Sequence, residues 1–324
     1  VVTSDPTEVT GQVWYNESEG ELKTRNQFVG NAWAAGGDMN TARQAMGEAG
    51  TQTAALVFGG NAPPPVTGLT EQYDGSSWTE VADLNTARNS LIGAGTYTDA
   101  LAIGGGITPA VANNESWNGS AWTETTDMNT AKKQLGGGGT STSALAFGGE
   151  NPGSPVLAIN ESWNGSAWTE VGDLNTAKVN RLGIGANNTA ALAVSGAPAG
   201  GINEQWNGSA WYEVNDLNTS RNYLAGAGTS SDGLAFGGYD DTVQVGNTES
   251  WNGSVFTETN DLNTARYGQA GDGTASAAFA AGGVTTVNVA ATEEWNASIS
   301  VGAWITGPNL NSGRRDGATS GTQT

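Results

Sequence analysis

Neither cysteine nor histidine occurs anywhere in the 324 residues. Disulfides, thiolate or imidazole metal centres, and thiol or histidine-based nucleophilic catalysis are therefore excluded, while the redox compartment stays open. Charge is also scarce, at 14% of residues, and one-sided: 12 basic against 32 acidic side chains give a net −20 and a pI near 4.1. Such a surface repels phosphate backbones and anionic bilayers, so nucleic acid is not an expected partner. No stretch approaches the roughly 18 consecutive apolar residues that cross a bilayer, and no charged-then-apolar leader opens the chain. Membrane insertion is not expected, and the chain is read as soluble. Val1 in place of Met suggests a processed product or part of a longer chain.

Glycine, by contrast, is abundant at 49 residues, as many short strands and tight turns require. A repeat organises them. The motif Asp-Leu/Met-Asn-Thr-Ala-Arg/Lys recurs with its Asn at Asn40, Asn85, Asn129, Asn175, Asn218, Asn263 and, degenerately, Asn311, in steps of 45, 44, 46, 43, 45 and 48 residues. Periods of this size belong to propellers, helical solenoids or leucine-rich arrays, and the contents of the unit decide among them. Each basic residue is followed by a small-residue stretch such as 136–140 (strand A), then by an apolar run ending in paired glycines such as 144–149 (strand B). The next segment is Glu-x-Trp (strand C), and an Asn-Gly turn leads to Trp-Thr-Glu (strand D). Short apolar runs between turn signals predict buried strands, and Asn-Gly between aromatic and polar residues predicts a hairpin.

The four-strand unit resembles the kelch repeat. Paired glycines stand at Gly59-Gly60, Gly104-Gly105, Gly148-Gly149, Gly237-Gly238 and Gly282-Gly283, with Ser195-Gly196 the exception. The first aromatic is Tyr73, Trp117, Trp163, Trp206, Trp251 or Trp295, and the second is Trp33, Trp78, Trp122, Trp168, Trp211, Phe256 or Trp304. The resemblance implies an all-β, seven-bladed kelch-type β-propeller, a single domain over residues 1–324. Its closing blade would take one C-terminal strand, 314–321, and three N-terminal strands within 11–36: Gly11 to Tyr15 as B, Glu21 to Arg25 as C and Ala32 to Ala35 as D. Closure of that kind leaves no strand edge unpaired.

The abundant cations and aromatics receive structural readings. Arg43, Arg88, Lys132, Lys178, Arg221, Arg266 and Arg314 share one repeat position, and each unit also carries a turn Asp and a Glu opening strand C. A charged hydrogen-bond set in every blade accounts for them, because functional sites on pseudo-symmetric scaffolds break the symmetry. Eleven of the twelve Trp occupy the two aromatic positions, Trp14 being outside them, and are assigned to blade packing. The Asn-Gly-Ser triplets at Asn118, Asn164, Asn207 and Asn252 match glycosylation acceptors but are read as two-residue hairpin turns.

Differences between copies concentrate in the B to C connections, which share neither length nor composition. Variable loops on a rigid scaffold are where binding usually resides. The candidate ligand-binding residues are accordingly Asn61, Glu150, Asn151, Tyr239, Asp240, Asp241 and Asn288. No catalytic residue, cofactor or metal site is expected. Kelch-type copper oxidases need His and a Tyr bonded to Cys, sialidase-like propellers need a free arginine cluster, and a carboxylate pair such as Asp240 and Asp241, or Glu150, is ordinarily solvated.

Residues 11–23, Gly-Gln-Val-Trp-Tyr-Asn-Glu-Ser-Glu-Gly-Glu-Leu-Lys, are similar to a short hairpin of bacteriophage tail and fibre proteins. The Trp-Asn-Gly-Ser-x-Trp and Leu-Asn-Thr-Ala-Arg repeats are similar to kelch-like proteins of tailed phages. These likenesses imply a non-enzymatic virion protein that displays a propeller for host-surface or glycan attachment, or that decorates the particle, with other virion proteins and a cell-surface glycan as partners. A secreted bacterial surface adhesion or carbohydrate-binding module, located at the cell surface, is the second reading.

Overall fold

The computed structural model describes residues 13–16, 21–62, 66–106, 109–153, 155–198, 200 and 202–306. Two compact units are present, one of residues 33–296 and one that combines 1–32 with 297–324. In the second, Val13–Asn16 pairs antiparallel with the start of the strand Glu21–Ala35, Val13 opposite Thr24.

Residues 33–296 form a β-propeller of six blades. The first blade is an antiparallel sheet of Gly47–Thr51, Ala54–Phe58, Thr70–Tyr73 and Trp78–Val81, innermost to outermost. Blades two to five repeat this A-B-C-D order over residues 92–124, 136–171, 182–214 and 225–259. The sixth takes its three inner strands from Gly273–Thr274, Ala277–Ala281 and the start of Thr292–Thr306, and its outer strand from the end of Glu21–Ala35. Innermost strands pack side by side round the ring, and Gly273–Thr274 returns to Gly47–Thr51.

Local chemistry explains each element. Strand B is apolar on both faces and fully buried, as in Leu145, Ala146 and Phe147, because one face packs on the preceding blade, Ala146 beside Ile103, and the other on the next, Phe147 beside Ala193. Phe58 of blade one meets Trp122 of blade two edge-on at 4.8 Å, Phe147 meets Trp211 at 4.8 Å, and Phe236 meets Trp33 at 4.8 Å. The ten described Trp at the repeat's aromatic positions are all buried. Between C and D the Asn-Gly turns are four-residue loops, since Trp117 pairs directly with Trp122. They are not the expected two-residue turns: Asn118 Oδ1 accepts the Ser120 and Ala121 amides at 3.0 Å, and only Gly119, at φ 90°, needs the left-handed region.

The buried charges form the expected set in five of the six blades. Glu115 accepts the Asn85 amide at 2.7 Å, the Asn85 side chain at 2.9 Å and the Arg88 guanidinium, while Asn85 Nδ2 also reaches the Trp122 carbonyl at 3.0 Å. Glu71, Glu161, Glu204, Glu249 and Glu293 repeat the arrangement. One blade departs from it. In blade four the partner of Glu204 is Arg181, at 3.2 Å, and Lys178 instead donates to the Gly200 and Pro198 carbonyls at 2.8 and 3.2 Å.

The blade count corrects the sequence reading: there are six blades, not seven. Closure uses three C-terminal strands and one N-terminal strand rather than one and three. Ala32 to Ala35 is strand D as expected, but its neighbour is the strand begun at Thr292, and Glu21 to Arg25 belongs to the same fifteen-residue strand instead of forming a separate C. The physical cause lies at Asn296-Ala297. Five blades place Gly at the second position of this turn, at φ 87° to 92°, whereas Ala disfavours that conformation. The chain there continues straight as Thr292–Thr306, so Trp304 does not return as strand D, and Trp33 takes that place. The expected strand at 314–321, with Arg314 and Asn311, lies outside the described residues.

Candidate functional site

Immediately after each basic residue come two positions at which the six copies diverge, apart from an Asn shared by two of them: Gln44-Ala45, Asn89-Ser90, Lys133-Gln134, Val179-Asn180, Asn222-Tyr223 and Tyr267-Gly268. The second of each pair is left-handed. Ala45, Ser90, Gln134, Asn180 and Tyr223 have φ between 53° and 56°, and Gly268 has 65°. A non-glycine residue pays roughly 1–2 kcal/mol to stand there, and the compensation is a chain of backbone bonds between blades. Ala45 N donates to Gly268 O, Ser90 N to Ala45 O, Gln134 N to Ser90 O, Asn180 N to Gln134 O, and Gly268 N to Tyr223 O, all at 2.8–2.9 Å. These residues surround a funnel of about 130 Å³ at one mouth of the central channel, together with Gln44, Leu91, Leu135 and Gln269.

The first position of each pair is stapled to the first residue of a B to C loop: Gln44 to Asn61, Asn89 to Gly106, Lys133 to Glu150, Val179 to Ala197, Asn222 to Tyr239 and Tyr267 to Val284. Three candidate residues, Asn61, Glu150 and Tyr239, therefore occupy equivalent places. Asn61 also links two neighbours, because its Oδ1 accepts Asn89 Nδ2 at 2.8 Å and its carbonyl accepts Asn288 Nδ2 at 2.7 Å. Glu150 forms a half-exposed ion pair with Lys133 at 3.5 Å, and Asn151 follows it on the loop, half-buried. Tyr239 stacks obliquely at 5.5 Å on Tyr267, which lies 5.9 Å from Tyr223. Asn61 and Asn288 are thus brought together, Tyr239 joins an aromatic group, and Glu150 lies near enough to Tyr223 of that group to act on its hydroxyl.

Asp240 and Asp241 serve the turn. Asp240 Oδ1 accepts Thr242 N, Thr242 Oγ1 and Val243 N at 2.8, 2.6 and 2.7 Å, and these bonds hold its carboxyl below the usual value. Asp241, at φ 73°, accepts Asn222 Nδ2 at 2.7 Å. A glycosidase pair needs one carboxyl free as acid and another as base or nucleophile, and bonds of this kind leave neither role to Asp240.

Sequence reasoning missed Tyr223, Tyr267, Asn89, Gln134 and Asn180. Their signal was the divergence just after the basic residue, as visible as that of the B to C loops. Tyr223 is 37% exposed, and burial of the rest pushes its hydroxyl above the usual phenol value. The face offers aromatic rings, amides and hydroxyls and hardly any free charge, a composition that suits polar neutral ligands and wet interfaces.

Deeper in the channel, Glu48 stands where the five sister blades carry Gly, and Asp272 where they carry Ala49, Ala94, Gly138, Ile184 and Ala227, lining a space of about 60 Å³ with glycine backbone. What surface they retain faces this narrow lumen. Burial raises both carboxyls, Asp272 to about 7 and Glu48 well above the usual carboxylate value, where the repulsion of Asp272 adds to the effect of burial. Asp272 accepts the Gly50 and Gly273 amides at 3.0 and 2.7 Å. Among the described residues no three acidic groups converge to hold a metal ion.

No protein-family model matches the chain, and no curated protein matches it. The fold does have solved counterparts. The structure of YjhT superposes with a TM-score of 0.65 at 11% sequence identity, over 79% of this chain and 96% of that one. At that identity the likeness concerns the β-propeller architecture alone.

Proposed function

We propose that this chain is a non-enzymatic kelch-type propeller displayed on a bacteriophage particle, and that its B to C face carries attachment to a host-surface glycan or docking within the particle. The observation that supports this most is the concentration of symmetry-breaking residues on one face. The Tyr223–Tyr267–Tyr239 group and the Asn61–Asn89–Asn288 chain are at positions where the repeat is otherwise free to vary. The opposite face repeats one Asn-Gly-Ser turn in four of its blades. The phage-like 11–23 segment supports the virion setting, and Asp240 being held in its turn favours binding over hydrolysis.

Two measurements test the reading. Mass spectrometry of purified particles should find the chain at a fixed stoichiometry with other virion proteins. A glycan array or host-cell binding assay should give a signal that Tyr267→Ala, which removes the middle ring of the aromatic group, lowers at least tenfold. Absence from particles would move the protein to a secreted adhesion module, and undiminished binding by Tyr267→Ala would remove the face from the reading.

A further inference from the structure

Away from the variable face, a cleft of about 470 Å³ opens between the outer strands of blade four and the C to D turn of blade five. It is lined by Gln205, Tyr212, Glu213, Asn215, Trp251 and Ser254 among others. The volume falls in the range of small-molecule sites. Its lining departs from the repeat. Tyr212 stands where four sister strands carry Thr79, Thr123, Thr169 and Thr257. Tyr212 is 44% exposed.

The packing of the fold does not account for Tyr212. Its neighbour Trp211 supplies the buried aromatic of the blade, and the sister threonines show that a small residue suffices. The ring nevertheless shares its sheet face with Gln205, its direct cross-strand partner. Gln205 and Asn215 are held by their amide nitrogens, which donate to the Ser230 and Ser254 carbonyls at 3.3 and 2.9 Å. Their side-chain oxygens are left as acceptors, while Glu213, next to Tyr212 along the strand, points to the opposite sheet face. The cleft thus combines an aromatic face with fixed acceptors and no cation.

We propose that this cleft is a binding site for a neutral oligosaccharide, with a pyranose ring stacked on Tyr212 and its hydroxyls donating to Gln205 and Asn215. Sugar rings present C–H faces to an aromatic and O–H donors at their rims, which is what the cleft receives. Anionic sugars are disfavoured by the net −20 of the chain. This site is separate from the B to C face and stands or falls independently of it.

Ligand-observed NMR with maltotriose, chitotriose and lactose, and with sialyllactose as the anionic control, tests the proposal. At least one neutral sugar should bind, and Tyr212→Thr, which installs the sister-blade residue, should weaken it at least tenfold while melting like the wild type. Tyr223→Ala, at the other face, should change that affinity less than twofold. Absence of binding by all three neutral sugars, equal affinity in Tyr212→Thr, or sialyllactose binding as tightly as the best neutral sugar would overturn it.

Discussion

The Trp33 indole donates its Nε1 hydrogen to Thr248 Oγ1 at 3.0 Å, across 215 residues of chain. Trp78 makes the same bond to Thr292, and Trp122 to Thr70, both to the preceding blade. Trp33 therefore occupies the outer-strand place of blade six, and Asn263 Nδ2 completes the position on the Trp33 carbonyl at 2.9 Å. At the next seam, between blades six and one, Tyr73 donates to Glu294 at 2.5 Å, where sister strands carry Trp and Ser or Gln. Replacing Trp33 with Phe should cost about 1 kcal/mol, the net worth of one hydrogen bond. Trp33→Ala should cost about 3–5 kcal/mol through the lost contacts with Phe236 and Trp295. Chemical denaturation measures both, and equal effects of the two variants would contradict this account of closure.

The same bond fails in two blades, and that failure is correctable. Position one of strand C is Thr in Thr70, Thr248 and Thr292 but Asn in Asn114 and Asn160. Trp168 Nε1 and Trp211 Nε1 are buried without partners, as are Asn114 Oδ1 and Asn160 Oδ1. Asn114→Thr and Asn160→Thr should let the facing indole donate as Trp122 does, stabilising by about 0.5–1.5 kcal/mol each. A rise in the denaturation midpoint at unchanged slope is the expected outcome; a fall for both would show that the Asn bonds to Thr126 O and Gly172 O matter more.

These cases show what the sequence conveyed and what it withheld. Strand order within a blade and the Glu115-type ion set follow from residue identity at fixed spacing, and both were legible. Blade number was not, because counting Asn311 and Trp304 as further copies weighed aromatic matches above the missing Gly at Ala297. The funnel residues were hidden for a different reason: Tyr223 and Tyr267 follow a conspicuous cation, and attention stayed on the cation. The exchange of Lys178 for Arg181 had no signal in spacing, since Lys178 keeps the register and only the three-dimensional competition for Glu204 decides it.

That competition yields a third expectation. Arg181 occupies the position of Leu91, Leu135 and Leu224, and with Leu there Lys178 is free to pair with Glu204 as Lys132 pairs with Glu161 at 3.2 Å. Arg181→Leu should therefore cost under about 1.5 kcal/mol, against about 3–5 kcal/mol for Arg88→Leu, which strands Glu115 without a substitute. The double change Lys178→Met with Arg181→Leu should recover the full penalty, and equal losses for both single variants would refute the exchange.

The channel carboxylates set the response to pH. Asp272 is raised from 3.8 to about 7 by burial, and Glu48 moves the same way. An acid that holds its proton more tightly when folded contributes stability that is fully present below its unfolded value and lost as pH climbs through its folded value. Stability should thus fall between pH 4 and pH 7, by on the order of 2–4 kcal/mol from Asp272 alone. Asp272→Asn keeps an acceptor for one of the Gly50 and Gly273 amides and removes the charge. It should be nearly neutral at pH 5 and stabilising by about 2 kcal/mol at pH 8. Urea unfolding at the two pH values separates this from a general charge effect: Asp232→Asn, at an exposed site of the A to B turn in blade five, should show no such difference. An Asp272→Asn effect of the same size at both pH values would mean that its carboxyl is already ionised at pH 5.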